Sequence, residues 1–217
     1  MPDYEDLRVS YSRDELDETS APAAPWELFD RWFDAAQGAG LPEPNAMTLA
    51  TVDGRGRPHV RTVLLKGMEQ VGPSDRAPVF YSNRRSDKGS QLAGNPACAL
   101  LFTWLQLERQ VRLEGTVTEL SEERSDAYFA SRPRGSQLGA WASPQSQVVM
   151  GREDLERRYA AVEQRYAGQP VPRPAYWGGW RVDVACIEFW QGRGSRMHDR
   201  LRYRHEADGW HRERLGP

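Results

Sequence analysis

The chain has 217 residues, 39% of them hydrophobic and 28% charged, with a formal net charge of −2. That is apolar material enough for one core, without the basic excess that drives nonspecific binding to nucleic acid or to an anionic membrane. The longest apolar run, ACALLFTW at 97–104, is far short of a membrane span, and the acidic N-terminus has no signal-peptide pattern, so a cytoplasmic protein is expected.

Residues 1–24 are polar and acidic and end in the linker APAAP; they read as a flexible arm, with 25–217 as the folded domain. Within the arm, LRVSY at 7–11 carries Arg8 and Tyr11, a cation and an aromatic suited to folding over an anionic ligand. Pro25 suits the first turn of a helix, and Trp26, Phe29, Trp32, Phe33 and Ala36 repeat at helical spacing until Gly38 and Gly40. MTLATV at 47–52 and VRTVLL at 60–65 read as a hairpin, with positive φ expected around Asp53 and Gly54. PVFYS at 78–82 is a third strand, and 86–94 a short helix with Ser86 as its N-cap. ACALLFTW and RQVRLEGTVTEL, the latter at 109–120, are two long strands; the second alternates Gln110, Arg112 and Glu114 against Val111 and Leu113.

Acidic residues after Ser121 begin a helix that Pro133 interrupts. A further helical segment spans about 135–143 and a charged helix 153–167, before a Pro-rich loop, WGGWRVDV at 177–184 and IEFWQGRGSRMHDRLRY at 187–203. Strands in hairpin order, with helices between and around them, predict an α+β protein built on an antiparallel barrel or sheet. Cys98 and Cys186 lie in strand-like runs without metal-ligand spacing and read as buried free thiols. No metal cluster, catalytic triad or carboxylate pair is legible.

The stretch at 187–203 concentrates the chemistry. A strand repeat of two puts Arg196, His198 and Arg200 on one face, downstream of Trp190 and a turn at Gly192 and Gly194. Such a surface suits a flat, anionic, heteroaromatic ligand, although an Arg-rich edge strand is often only solvated. Tyr128, Arg132 and Ser136 are spaced by four and make a phosphate cradle on one helix face, with Pro133 working against a continuous helix there. Arg61 and Lys66 are an odd number apart, which requires a bulge or two environments. Lys66 and Lys88 are the only lysines among 29 Lys plus Arg residues, and Lys88 with Ser86 at a helix start suits a second phosphate. Gln110, and Gln145 with Ser146, offer hydrogen bonds to the polar edge of a ring system.

Several motifs in order, RTVLLK at 61–66, FYSN at 80–83, LERQV at 107–111, YFASRPRGSQLGAW at 128–141, PQSQ at 144–147, WGGWRV at 177–182, and IEFWQG with RMHDRLRY, resemble the pyridoxine (pyridoxamine) 5′-phosphate oxidase family through nearly the whole chain. The resemblance implies an FMN-binding, homodimeric, antiparallel split β-barrel with surrounding helices and sites at the subunit interface. It implies oxidation of pyridoxamine or pyridoxine 5′-phosphate to pyridoxal 5′-phosphate, with molecular oxygen as acceptor and hydrogen peroxide as product. By the same resemblance FMN is held by Arg61, Thr62, Val63, Leu64, Leu65 and Lys66, by Tyr81, Ser82 and Lys88, and by Gln110, Gln145, Ser146, Trp190 and Arg200. Lys66, Tyr128, Arg132 and Ser136 would grip the substrate phosphate, Arg8 and Tyr11 would cover the substrate, and Arg196 and His198 would lie over its ring as the catalytic pair.

One position departs from the family. Where an arginine commonly precedes the second lysine, this chain has Asp87, which would repel a flavin phosphate unless it faces solvent or Arg84 or Arg85 compensates. The rival readings are a flavin oxidase of the phenazine-biosynthesis type, which would not need a phosphate cradle, and a noncatalytic carrier of FMN or a B6 phosphate, which would form no peroxide.

Overall fold

The structure, a computed structural model, describes residues 10–217; Arg8 lies outside them. Helix α1 (Pro25–Gly38) starts on Pro25 and buries Trp26, Leu28, Phe29, Trp32 and Ala36. Strands β1 (Ala46–Val52) and β2 (Pro58–Leu64) form the expected hairpin. Its positive φ falls at Gly56 (77°) rather than at Asp53 or Gly54. The connection is longer than a two-residue turn, and Asp53 organises it with its side chain, accepting from the backbone N–H of Arg55 (2.9 Å) and Arg57 (3.0 Å).

A short strand β3 (Gly67–Gln70), absent from the sequence reading, pairs with β4 (Arg76–Asn83). Helix α2 (Asp87–Gly94) follows, with Ser86 as N-cap, and then β5 (Ala97–Trp104) and β6 (Arg109–Glu119). Helices α3 (Glu122–Ser131) and α4 (Arg134–Ala142) are separated at Arg132 and Pro133, and α5 (Arg152–Arg165) is the charged helix. The chain ends in β7 (Trp177–Gln191), β8 (Asp199–Glu206) and β9 (Gly209–Arg214).

Among the described residues the nine strands form one antiparallel sheet in the order β2-β1-β5-β6-β7-β4-β3, with β8 also on β7 and β9 on β8. The sheet forks at β7. Along one edge β7 pairs with β6; along the other its first part, from Trp177 to Arg181, pairs with β4 and its last part, from Cys186 to Gln191, pairs with β8. A register shift at Glu114 and Gly115 lets β7 bend at the fork, and a Cβ on Gly115 would come within 2.2 Å of the Asp183 carbonyl oxygen.

The core lies between α1 and one face of this sheet. Leu49, Leu100, Phe102, Val111, Leu113, Ile187 and Phe189 alternate inward along their strands, and Phe29 meets Phe102 and Trp32 meets Phe189, each with ring centroids 5.3 Å apart. Each such buried side chain contributes roughly 1.5–3 kcal/mol. A second cluster of Phe129, Leu138, Tyr166, Val171 and Trp177 fixes α3, α4 and α5 to the start of β7. Cys98 and Cys186 are free and half-buried, and burial pushes the Cys98 thiol up to about 12. No helix among the described residues is long and apolar enough to cross a membrane.

Candidate active site

A cavity of about 440 Å³ is lined by Thr62, Val63 and Leu64 of β2, by Tyr81, Ser82 and Asn83 of β4, and by Lys66, Lys88, Tyr128, Arg132, Pro133, Ser136, Gln145 and Trp177. Strand β2 ends at Leu64, so Lys66 lies beyond the pleat and needs no bulge to reach the cavity; Arg61 does not line it but donates to β1, close enough for its charge to act on Lys88. Lys88 is buried, and its Nζ donates to Ser82 Oγ (2.9 Å), Ser86 Oγ (3.2 Å) and Gln145 Oε1 (3.4 Å). All three acceptors are neutral. Burial, and then the charge of Arg61, push the Lys88 ammonium below the usual lysine range, with Asp87 acting the other way.

The cradle of Tyr128, Arg132 and Ser136 forms, but not on one continuous helix. Arg132 ends α3 with extended backbone (φ −73°, ψ 148°), because the residue before a proline is driven out of the helical region; Tyr128 reaches the cavity from α3 and Ser136 from α4. The Arg132 guanidinium lies 4.6 Å over the Trp177 ring, and its Nη1 is buried without a hydrogen-bond partner. Tyr81 stacks on Tyr128 at 3.9 Å and on Trp177 at 5.5 Å. Burial raises both phenols above the usual range, which keeps them as O–H donors.

A second group of expected site residues lies elsewhere. Gln110, Trp190 and Arg200 are directly opposite one another on β6, β7 and β8 and make a row across the sheet. Arg200 is held by Glu188 (2.8 Å) and by the Gly216 carbonyl (2.9 Å). The expectation that Arg196 and His198 continue a strand with Arg200 is not met. Gly194–Arg196 is a 3-10 turn in which Ser195 and Arg196 have positive φ (56° and 61°), and β8 begins only at Asp199. The left-handed residues where the chain leaves the ladder are Ser195 and Arg196, not the glycines at 192 and 194. His198 still packs on Trp190 (4.7 Å), and Tyr11 packs on both, 5.8 Å from Trp190 and 5.7 Å from His198. His198 Nδ1 accepts from the Arg193 N–H (3.1 Å), so the neutral ring carries its proton on Nε2.

The two groups sit near opposite ends of β7, with Trp177 in the cavity and Trp190 in the row. The 12 residues between them correspond to about 40 Å measured along the strand. None of Tyr11, Gln110, Trp190, Arg196, His198 and Arg200 lines the cavity, nor do Leu65 and Ser146; Ser146 is exposed with φ 69°.

Residues 33–166 match the family model described as pyridoxamine 5′-phosphate oxidase, and 177–217 match the pyridoxine 5′-phosphate oxidase C-terminal dimerisation region. The chain belongs to the pyridoxamine 5′-phosphate oxidase family. It is 56% identical to the pyridoxine/pyridoxamine 5′-phosphate oxidase of Rubrobacter xylanophilus, over 99% of this chain and 97% of that one. It is 54% identical to that of Acaryochloris marina, over 98% and 94%. Among solved structures, PhzG from Burkholderia lata in complex with tetrahydrophenazine-1-carboxylic acid superposes with a TM-score of 0.85 at 29% identity, covering 94% of this chain and 98% of that one. A pyridoxamine 5′-phosphate oxidase-related, FMN-binding protein from Nostoc punctiforme shares the fold, with a TM-score of 0.71 at 19% identity over 89% and 98%.

A split barrel that depends on FMN and dimerises through its C-terminal region follows from membership of the pyridoxamine 5′-phosphate oxidase family. The donors present fit that cofactor: a buried ammonium bonded only to neutral oxygens and a buried guanidinium nitrogen with no partner supply two cationic positions in one cavity. The departure at Asp87 is not offset by Arg84, which is engaged by Glu119 (3.1 Å) and Glu122 (2.9 Å), while Arg85 lies over the Tyr176 ring. Asp87 itself is exposed. Sequence reasoning gave Trp177 and Asn83 no role in the site; the conspicuous WGGW and FYSN strings were the available signals.

Proposed function

We propose that the chain oxidises pyridoxamine 5′-phosphate and pyridoxine 5′-phosphate to pyridoxal 5′-phosphate in B6 biosynthesis and salvage, in the cytoplasm, with residues 25–217 as the oxidase domain and 1–24 as an arm over it. The observation that carries this reading is the pair of cationic positions in one cavity, one suited to the phosphate of FMN and one to that of the substrate. Lys88 and Ser82, with Arg61 nearby, hold the cofactor phosphate, and Tyr81, Gln145, Ser146 and the backbone from Thr62 to Leu65 accommodate the rest of the cofactor from the same chain. Gln110, Trp190 and Arg200 come to it from the partner protomer. Lys66, Tyr128, Arg132 and Ser136 grip the substrate phosphate, so that binding energy remote from the reacting carbon fixes the ring.

FMN, when bound, would supply the two-electron redox chemistry, with O2 as the final acceptor and H2O2 as the second product. The protein's own part is orientation. Arg196, on its left-handed turn, and His198, offering an Nε2–H donor, face the substrate ring and its oxygen substituent, and Tyr11 closes over them with Arg8. A phenazine-type substrate without phosphate would leave Arg132 buried and unpaired, which disfavours that reading. The test is to add pyridoxine 5′-phosphate in air to the FMN-loaded protein and follow both products. Pyridoxal 5′-phosphate and H2O2 are expected in equal amounts; ester binding without either product would make the protein a carrier.

A further inference from the structure

The guanidinium of Arg61 is held by three acceptors. Its Nη1 donates to the Leu49 carbonyl (3.2 Å) and to Thr51 Oγ1 (2.6 Å), and its Nη2 donates to Gln91 Oε1 (2.9 Å). The Thr51 hydroxyl, accepting from Arg61, donates its own proton to the same Gln91 oxygen (2.6 Å), which closes a ring of hydrogen bonds. Thr51 is 1% exposed, so this ring has little competition from water.

An arginine has five N–H donors in a planar fork. Both Nη1 protons are taken, and Gln91 lies on the Nη1 side of Nη2, because it also bonds the hydroxyl that binds Nη1. What remains is the Nε–H and the outer Nη2–H, two parallel donors on one edge, which match two oxygens of a phosphate. Gln91 lies on α2 with Lys88, whereas Thr51 and Arg61 lie on β1 and β2. The ring therefore ties into one frame the two cations assigned to the cofactor phosphate.

We propose that Thr51 and Gln91 are positioning residues for FMN: together they lock the Arg61 guanidinium with its Nε and Nη2 edge free for the flavin phosphate. The inference rests on the reading above that Arg61 meets this phosphate. Neither residue touches the flavin; both act through Arg61.

The test uses the full-length homodimer stripped of flavin and titrated separately with FMN and with riboflavin, which lacks the phosphate, following flavin fluorescence. Thr51→Val, nearly isosteric but without the hydroxyl, is expected to weaken FMN about tenfold and to leave riboflavin unchanged. Gln91→Met should do the same, and Thr51→Ser should stay within about twofold of wild type on FMN. In an Arg61→Ala background, Thr51→Val should cost nothing further. Equal weakening of FMN and riboflavin, or an undiminished effect in the Arg61→Ala background, would overturn the proposal. If Arg61→Ala itself leaves FMN affinity unchanged, Arg61 is not a phosphate ligand and both readings fall. If Arg61→Ala weakens FMN but Thr51→Val and Gln91→Met do not, only the positioning role falls.

Discussion

Asp87 opens α2 next to Lys88, and its charge acts on both Arg61 and Lys88. In the absence of ligand it offsets part of the repulsion between these two cations; toward a flavin phosphate it is repulsive. Asp87→Asn should therefore tighten FMN about two- to fivefold at low ionic strength, and less at high salt, because an exposed carboxylate is screened. Titrations at two salt concentrations check this, and an affinity that does not move at either would show that the charge is fully solvated. At this scale the sequence was informative where a residue belonged to a recognisable string, as Lys66, Arg132 and Trp190 do, and where a residue type was rare, as Lys88 is. Thr51 was hidden because a β-branched residue in MTLATV reads as ordinary strand, and its partner Gln91 is 40 positions away.

Among the elements, the segment just before α1 is fastened to the sheet by carboxylates from distant strands and loops. Glu108 Oε2 accepts from the backbone N–H groups of Ser12 and Arg13, both at 3.0 Å, Asp199 Oδ2 accepts from that of Leu16 (3.1 Å), and Glu18 pairs with Arg214. These anchors set Tyr11 against Trp190 and His198, over Gly192, where a Cβ would come within 2.8 Å of the Tyr11 ring. Glu108→Ala should release the segment, giving faster limited proteolysis within 10–18 and a KM for the phosphate substrate raised about threefold or more, while FMN affinity stays the same. An unchanged cleavage rate would mean that the other anchors suffice. Hydrogen bonding from Arg214 depresses Glu18 from 4.5 to about 2. A lowered carboxylate stabilises the folded state fully above its unfolded pKa, so this anchor is complete above pH 4.5 and is lost as pH falls through about 2. The sequence showed Tyr11 as a candidate cover but not how it is fastened, because the fastening carboxylates lie 96 and 183 residues downstream of the groups they hold.

For the whole molecule, the α+β class and the order of the long strands followed from periodicity, whereas the fork at β7 did not. A 15-residue run reads as one strand or two with equal ease, and only the pairing of its first part with β4 and its last with β8 reveals the split. On the proposed function the two residue groups, set apart along β7, complete each site from two protomers. Arg132→Ala and Arg196→Ala homodimers should each turn over slowly. Co-expressed, half of the dimers are mixed and each holds one intact site of its two, so the population should recover about a quarter of wild-type turnover. Recovery no greater than the average of the two homodimers would place both residues in the site of the same protomer.

If the site is shared as proposed, the strand that divides the sheet also joins the two sites of the dimer. On the proposed function each β7 has Trp177 in the cavity of its own protomer and Trp190 in the row offered to the partner, so the dimer would have two beams, each with one end in either site. Between its two ends β7 carries one residue more than its neighbour, Ala185, opposite the step from Glu114 to Gly115 on β6, so the two ends do not lie on one uninterrupted ladder.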